Sequence, residues 1–221
     1  MMGKEKITKG IIAVYKPIGV SSFDAIKRLR LITGFRKIGH AGTLDPLAKG
    51  VLVVGIGKEA CRALAENVRK EKEYLAMIKL GEESSTDDGE GVKKCIKVSK
   101  IPTLSQIKGI IPKFEGVISQ TPPIFSAIKV NGQRAYSLAR KGKKFSLNSR
   151  KIEIKKIEIL KYKWPNLYLK VMTGPGAYIR ALARDIGQEL SCGGYLSSLE
   201  RTRVGEFTKK QAKYIYEEKK D

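Results

Sequence analysis

Gly39-His40-Ala41-Gly42-Thr43-Leu44-Asp45-Pro46-Leu47-Ala48-Lys49-Gly50-Val51-Leu52 fixes one acid, Asp45, in a glycine-lined loop beside the chain's single histidine. Gly39, Gly42 and Gly50 permit backbone shapes and close approaches that a Cβ resists, and Pro46 biases Asp45 toward extended backbone. Residues 51–55 form an apolar run of strand length, so a buried strand delivers the loop. A carboxylate pinned on an open loop suits chemistry. The ordinary alternative is a surface turn, because Asp-Pro is a common turn starter.

Outward from the loop, residues 11–15 read as a short buried strand. Ser21 and Ser22 open a helix with Phe23, Ile26 and Leu29 inward, ending at Gly34. Residues 58–70 read as a helix with Cys61, Leu64 and Val68 on one face. Tyr74, Ala76, Ile78 and Leu80 alternate with Leu75, Met77 and Lys79, the period of a strand. Residues 82–91 are a polar, acidic surface turn. Thr103 caps a short helix through Ile111 that Pro112 ends, and residues 124–130 read as a strand before the turn Asn131-Gly132. A helix over 135–141 is closed by Gly142. Residues 146–172 are β-rich with a hairpin turn at Pro165-Asn166. Ile179, Leu182, Ile186 and Leu190 make a helical stripe over 178–190.

Lysine and arginine number 44 against 22 acids, a formal charge of +22 over 221 residues, which points to a polyanionic partner where the charge clusters. Clusters occur at Lys27-Arg28-Arg30, Lys141-Lys143-Lys144, Arg150-Lys151 with Lys155-Lys156, Arg201-Arg203 and Lys209-Lys210. Cys61, Cys95 and Cys192 are widely spaced, with no Cys-x-x-Cys or His/Cys metal pattern. The charged opening 1–6 and the lack of about 18 consecutive apolar residues argue against secretion and membrane spanning, and for a cytoplasmic protein.

Two nucleotide and hydrolase motifs fail on context. Gly55-Ile56-Gly57-Lys58-Glu59-Ala60, with Glu73 downstream, imitates a dinucleotide fingerprint, but the later chain turns to hairpins where βαβ units should continue. No serine sits in a Gly-x-Ser-x-Gly elbow.

Seven ordered segments resemble the TruB-type tRNA pseudouridine(55) synthases across nearly the whole chain. They are Lys16-Pro17-Ile18-Gly19-Val20-Ser21-Ser22; the Gly39 to Leu52 run; Lys72-Glu73-Tyr74; Thr86-x-Asp88-x-x-Gly91; Gln120-Thr121-Pro122-Pro123 followed by Ser126-Ala127-Ile128-Lys129; Gly176-Ala177-Tyr178-Ile179-Arg180; and Leu199-Glu200-Arg201-Thr202-Arg203-Val204-Gly205.

The resemblance implies an α+β fold: a mixed, largely antiparallel central sheet flanked by helices, in a single catalytic domain over 1–221. It also implies an RNA-gripping insertion around 124–150. The reaction implied is isomerisation of uridine 55 in the T arm of tRNA, without a cofactor or metal, because the change is redox-neutral. Asp45 is then the essential carboxylate, either as nucleophile or in proton removal. Arg180 is its cationic partner, and Tyr74 is the platform for a flipped base and a neighbour of the carbon that loses a proton. His40, Tyr178, Leu199, Lys16 and Thr43 complete the substrate pocket, with core packing an equal alternative for Leu199. The implied partner is the tRNA T stem-loop, bound by a monomer with no protein partner required. Pro175, Ala177 and Glu200 depart from the family pattern, and the chain ends soon after Phe207 without the C-terminal RNA-binding domain of longer relatives. A non-catalytic RNA binder and a nucleotide-dependent oxidoreductase are the rival readings.

Overall fold

A computed structural model of the chain describes residues 7–216. The charged opening 1–6 and the side chain of Val68 lie outside the described residues. The elements run β1 (Gly10–Lys16), α1 (Ser22–Thr33), β2 (Ile38–Ala41), β3 (Ala48–Ile56), α2 (Lys58–Arg69), β4 (Lys72–Leu80), β5 (Glu82–Ser84) and β6 (Lys93–Cys95). Then come α3 (Leu104–Ile110), β7 (Gly116–Gln120), β8 (Lys129–Val130), β9 (Gln133–Arg134), α4 (Ala135–Arg140), β10 (Arg150–Lys163) and β11 (Asn166–Thr173). The last are α5 (Ile179–Glu189), β12 (Gly194–Val204), β13 (Phe207–Thr208) and β14 (Lys213–Tyr214). The α+β class and the mixed, largely antiparallel sheet agree with expectation: β1 runs parallel to β14, while β1/β3, β2/β3, β7/β10, β10/β11 and β12/β13 pair antiparallel.

The chain divides into two compact units. Among the described residues, one holds 7–74 and 200–216, the other 75–199. In the first, hydrogen-bonded order is β14-β1-β3-β12, with β2 beside β3 and β13 beside β12. Period-two alternation gives its sheet two apolar faces. Val14, Leu52, Val54 and Ile56 pack with Ala25, Ile26 and Leu29 of α1, and Ala13, Val51 and Val53 pack with Leu64 of α2. Helix α1 starts at Ser21, whose side chain accepts from the Asp24 N–H, and stops at Gly34 with φ 73°. That cap pair is what the sequence signals. Phe23, expected inward, is 56% exposed; Ser22 and Ala25 take the inner face with Ile26 and Leu29.

In the second unit the order is β12-β4-β11-β10-β7. The register sets Ile157 against Val171, Ile159 against Leu169 and Tyr162 against Leu167. Helix α5 buries Ile179, Leu182, Ala183 and Ile186. Three expectations change here. The strand foreseen over 124–130 shrinks to β8, because the Phe125 and Ala127 carbonyls accept from Arg180 and Arg134 side chains instead of a ladder. A strand not foreseen, β7, pairs with β10. The surface turn at 82–91 belongs to a β5–β6 hairpin in which Asp88 is 2% exposed.

Candidate active site

Asp45 sits between β2 and β3 in a loop held from both sides. Its carbonyl accepts from the Ala48 N–H at 3.0 Å. Leu44 is buried, and its N–H and carbonyl both meet the Ser22 hydroxyl, at 2.9 and 3.0 Å. The Pro46 carbonyl accepts from the Gly19 N–H at 2.9 Å. The β1–α1 connection therefore braces the acid loop, and Lys16 braces that connection. Its ammonium donates to the carbonyls of Pro17 at 2.9 Å and Val20 at 2.6 Å. Lys16, expected at the substrate pocket, is fully buried.

The cation that organises this unit is Arg201, only 2% exposed. Its Nε donates to the Val51 carbonyl and its Nη2 to the Gly42 carbonyl, both at 2.8 Å. Those carbonyls flank the Asp45 loop on each side, so one planar fork ties its two ends together. Close approach requires glycines. A Cβ on Gly50 would run into the Arg201 backbone, and one on Gly42 would lie 3.3 Å from Nη1. Burial pushes the Arg201 guanidinium below its ordinary pKa, opposed by the charge of and a hydrogen bond with Tyr74, and then by Asp45. Sequence reasoning missed Arg201 as a site residue. The signal was present in the two glycines, which mark where another backbone or side chain must come close.

Tyr74 is 7% exposed at an inward position of β4. His40, half-buried on β2, is held below the ordinary histidine pKa, first by burial and also by Arg201, against a backbone hydrogen bond that raises it. Lys72, two residues before Tyr74, donates to the Lys70 carbonyl at 2.6 Å. Burial and then Arg201 push its amine down to about 8. Thr43 is exposed beside Gly42. The first unit thus brings Asp45, Tyr74, His40 and Lys72 around Arg201.

The other expected residues belong to the second unit. Arg180 is buried and donates to Asp88 Oδ2 at 3.3 Å and to the carbonyls of Phe125 at 2.9 Å and Thr86 at 3.4 Å. Asp88 also accepts from the Glu90 N–H at 3.0 Å, so the hairpin holds the acid that holds the arginine. Tyr178, the residue before α5, exchanges two backbone hydrogen bonds with the Gln120 amide, at 2.9 and 3.2 Å. Leu199 is 8% exposed on β12. Among the described residues no cluster of three or more His, Cys, Asp or Glu could hold a metal ion.

The fold is shared with a solved pseudouridylate synthase, at TM-score 0.50 and 14% identity. The chain belongs to the TruB family pseudouridylate synthases. The family's N-terminal domain matches residues 30–179, and the tRNA pseudouridylate synthase B C-terminal domain matches residues 180–218. The chain is 44% identical over 207 residues to tRNA pseudouridine synthase B of Ehrlichia chaffeensis, covering 92% of this chain and 69% of that one. It is 44% identical over 203 residues to that of Clostridium novyi, covering 92% and 70%. Against that of Chelativorans the figures are 39% identity, 94% and 66%, so the chain spans about two thirds of these relatives' length. Among solved structures, a Cbf5-Nop10-Gar1 complex matches at TM-score 0.69 and 30% identity, covering 90% of this chain and 50% of that one. An H/ACA RNP bound to a substrate RNA matches at 0.69 and 26%, covering 93% and 51%.

Proposed function

We propose that the chain isomerises uridine 55 in the T arm of tRNA to pseudouridine, with Asp45 as the essential carboxylate. The relatives of similar sequence are named tRNA pseudouridine synthase B, and the net charge of +22 suits an RNA polyanion. The observation that supports the residue assignment is Arg201, buried with its guanidinium bridging the Gly42 and Val51 carbonyls on either side of Asp45. A planar fork at that point holds the acid-bearing loop in one shape.

The reaction breaks the N1–C1′ bond, joins C1′ to C5, removes the C5 proton and returns one to N1. Atoms and electrons balance without a cofactor. Asp45 acts at the sugar or in proton removal. Tyr74 stacks on the extruded uracil and stands beside C5, which offsets part of the unstacking cost of a few kcal/mol. By the resemblance Arg180 orients the reacting acid, and His40, Tyr178, Leu199, Lys16 and Thr43 bind the substrate. The protein works as a cytoplasmic monomer, without a protein partner.

The test maps pseudouridine in an unmodified tRNA transcript by carbodiimide derivatisation and primer extension. Wild type should give one stop, at position 55, absent with Asp45→Asn and absent when that uridine is replaced by cytidine. A stop elsewhere, or one that survives Asp45→Asn, overturns the assignment.

A further inference from the structure

The face of the first unit away from Arg201 carries an aromatic surface that the reaction does not use. Tyr15 of β1 and Tyr214 of β14 are register partners, and their rings stack at 4.8 Å between centroids and 17° between planes. Inner Tyr15 is anchored: its hydroxyl donates to Glu200 Oε1 at 3.2 Å. The same oxygen holds Lys209 Nζ at 2.6 Å, and that ammonium lies 5.5 Å from the Tyr15 ring centroid. Outer Tyr214 is 52% exposed. Lys210 is exposed and follows Lys209 in the chain, and Lys213 immediately precedes Tyr214. Glu200 and Arg201 are neighbours on β12, so their side chains leave on opposite faces of the sheet. The stacked pair is therefore a separate place from the pocket that Arg201 organises.

We propose that Tyr214, backed by Tyr15 and flanked by Lys209 and Lys210, is a stacking site for an unpaired RNA nucleobase other than the isomerised uridine. One ring face is already ordered against Tyr15, so a base arriving on the other extends an existing stack. Every base offers a π-face, and such stacking tolerates sequence. Glu200 raises the pKa of Lys209, and Lys209 with Lys210 supplies positive charge for the adjoining phosphates. The occupant is RNA because, among the described residues, the exposed aromatic follows Lys213 and adjoins Lys209, and Glu200 beside it is already engaged by Lys209 and Tyr15. The inference rests on the proposed reading of the chain as an RNA-modifying enzyme.

The test has two arms. In the first, a single-stranded RNA carrying one 2-aminopurine is titrated into the full chain, and quenching reports stacking. Wild type and Tyr214→Phe should quench it; Tyr214→Ala should not. In the second, turnover of full-length tRNA is measured. Tyr214→Ala should raise KM about ten-fold with kcat unchanged, Tyr214→Phe should match wild type, and Lys209→Gln should raise KM while sparing the quench. An unaltered KM for Tyr214→Ala, a loss confined to kcat, or no quench by wild type overturns the site and leaves a protein-facing surface. Absence of turnover by wild type sinks the functional reading instead, with the quench arm still deciding the stacking site.

Discussion

At the scale of the residue, the arginine that matters most to the architecture of the acid loop is Arg201. Its Nε and Nη2 serve two backbone carbonyls 2.8 Å away, a geometry that a lysine ammonium cannot reproduce. Arg201→Met should cost about 3–5 kcal/mol in urea unfolding and abolish turnover. Arg201→Lys should recover only part of the stability. A loss under about 1 kcal/mol would contradict the bridging role. His40 makes a pH prediction. Its folded pKa lies below the ordinary 6.5, so the unfolded chain takes up a proton first as pH falls. The associated stability is intact above 6.5 and is lost progressively below it, down to the folded value. Denaturation midpoints for wild type should fall through this window more steeply than those of His40→Asn. Parallel curves would show that His40 does not carry the difference.

Among the elements, β3 carries the tightest constraint, because Gly50, at φ 113°, faces the backbone of Arg201. Gly50→Ala should lower Tm by several degrees and reduce activity, whereas Gly10→Ala, with a positive φ but open space around it, should cost less. Equal losses would mean that φ alone decides. What the sequence makes legible at this scale is local chemistry. The Ser21 and Gly34 caps of α1, the cap at Thr103 and the Asn131-Gly132 turn form as read, the Thr103 cap as a full capping box with Gln106. The alternation Tyr74, Ala76, Ile78, Leu80 buries as its period requires. Illegible were elements set by distant partners. Strand β7 is mostly exposed, with Val117 at 69%, so it lacks an apolar alternation and forms only because β10 offers its edge. Residues 124–130 have strand-like composition, but arginine side chains claim their carbonyls. Phe23 follows the helical period, yet Ser22 takes the inner position by clamping Leu44.

For the whole molecule, the seven motifs carried the family, and short signatures within them mark Asp45 and Tyr74 as candidates. Arg201 was quoted in a motif without a role, since Val51 and Gly42 lie 150 and 159 residues away. Only the folded chain joins them. The excess of 22 positive charges makes a further prediction: log Kd for tRNA should rise steeply and linearly with log salt, at a slope of about 0.9 or somewhat less per phosphate neutralised. A flat response would rule out phosphate contacts as the main grip.

The measurement that bears most directly on the account is tritium release from tRNA labelled at C5 of uridine, comparing wild type with an Asp45→Asn variant of matching circular dichroism. Wild type should release one tritium per tRNA, and the variant none above background. Release by the folded variant, or its absence from wild type under conditions where tRNA binds, would contradict an Asp45-dependent pseudouridine synthase.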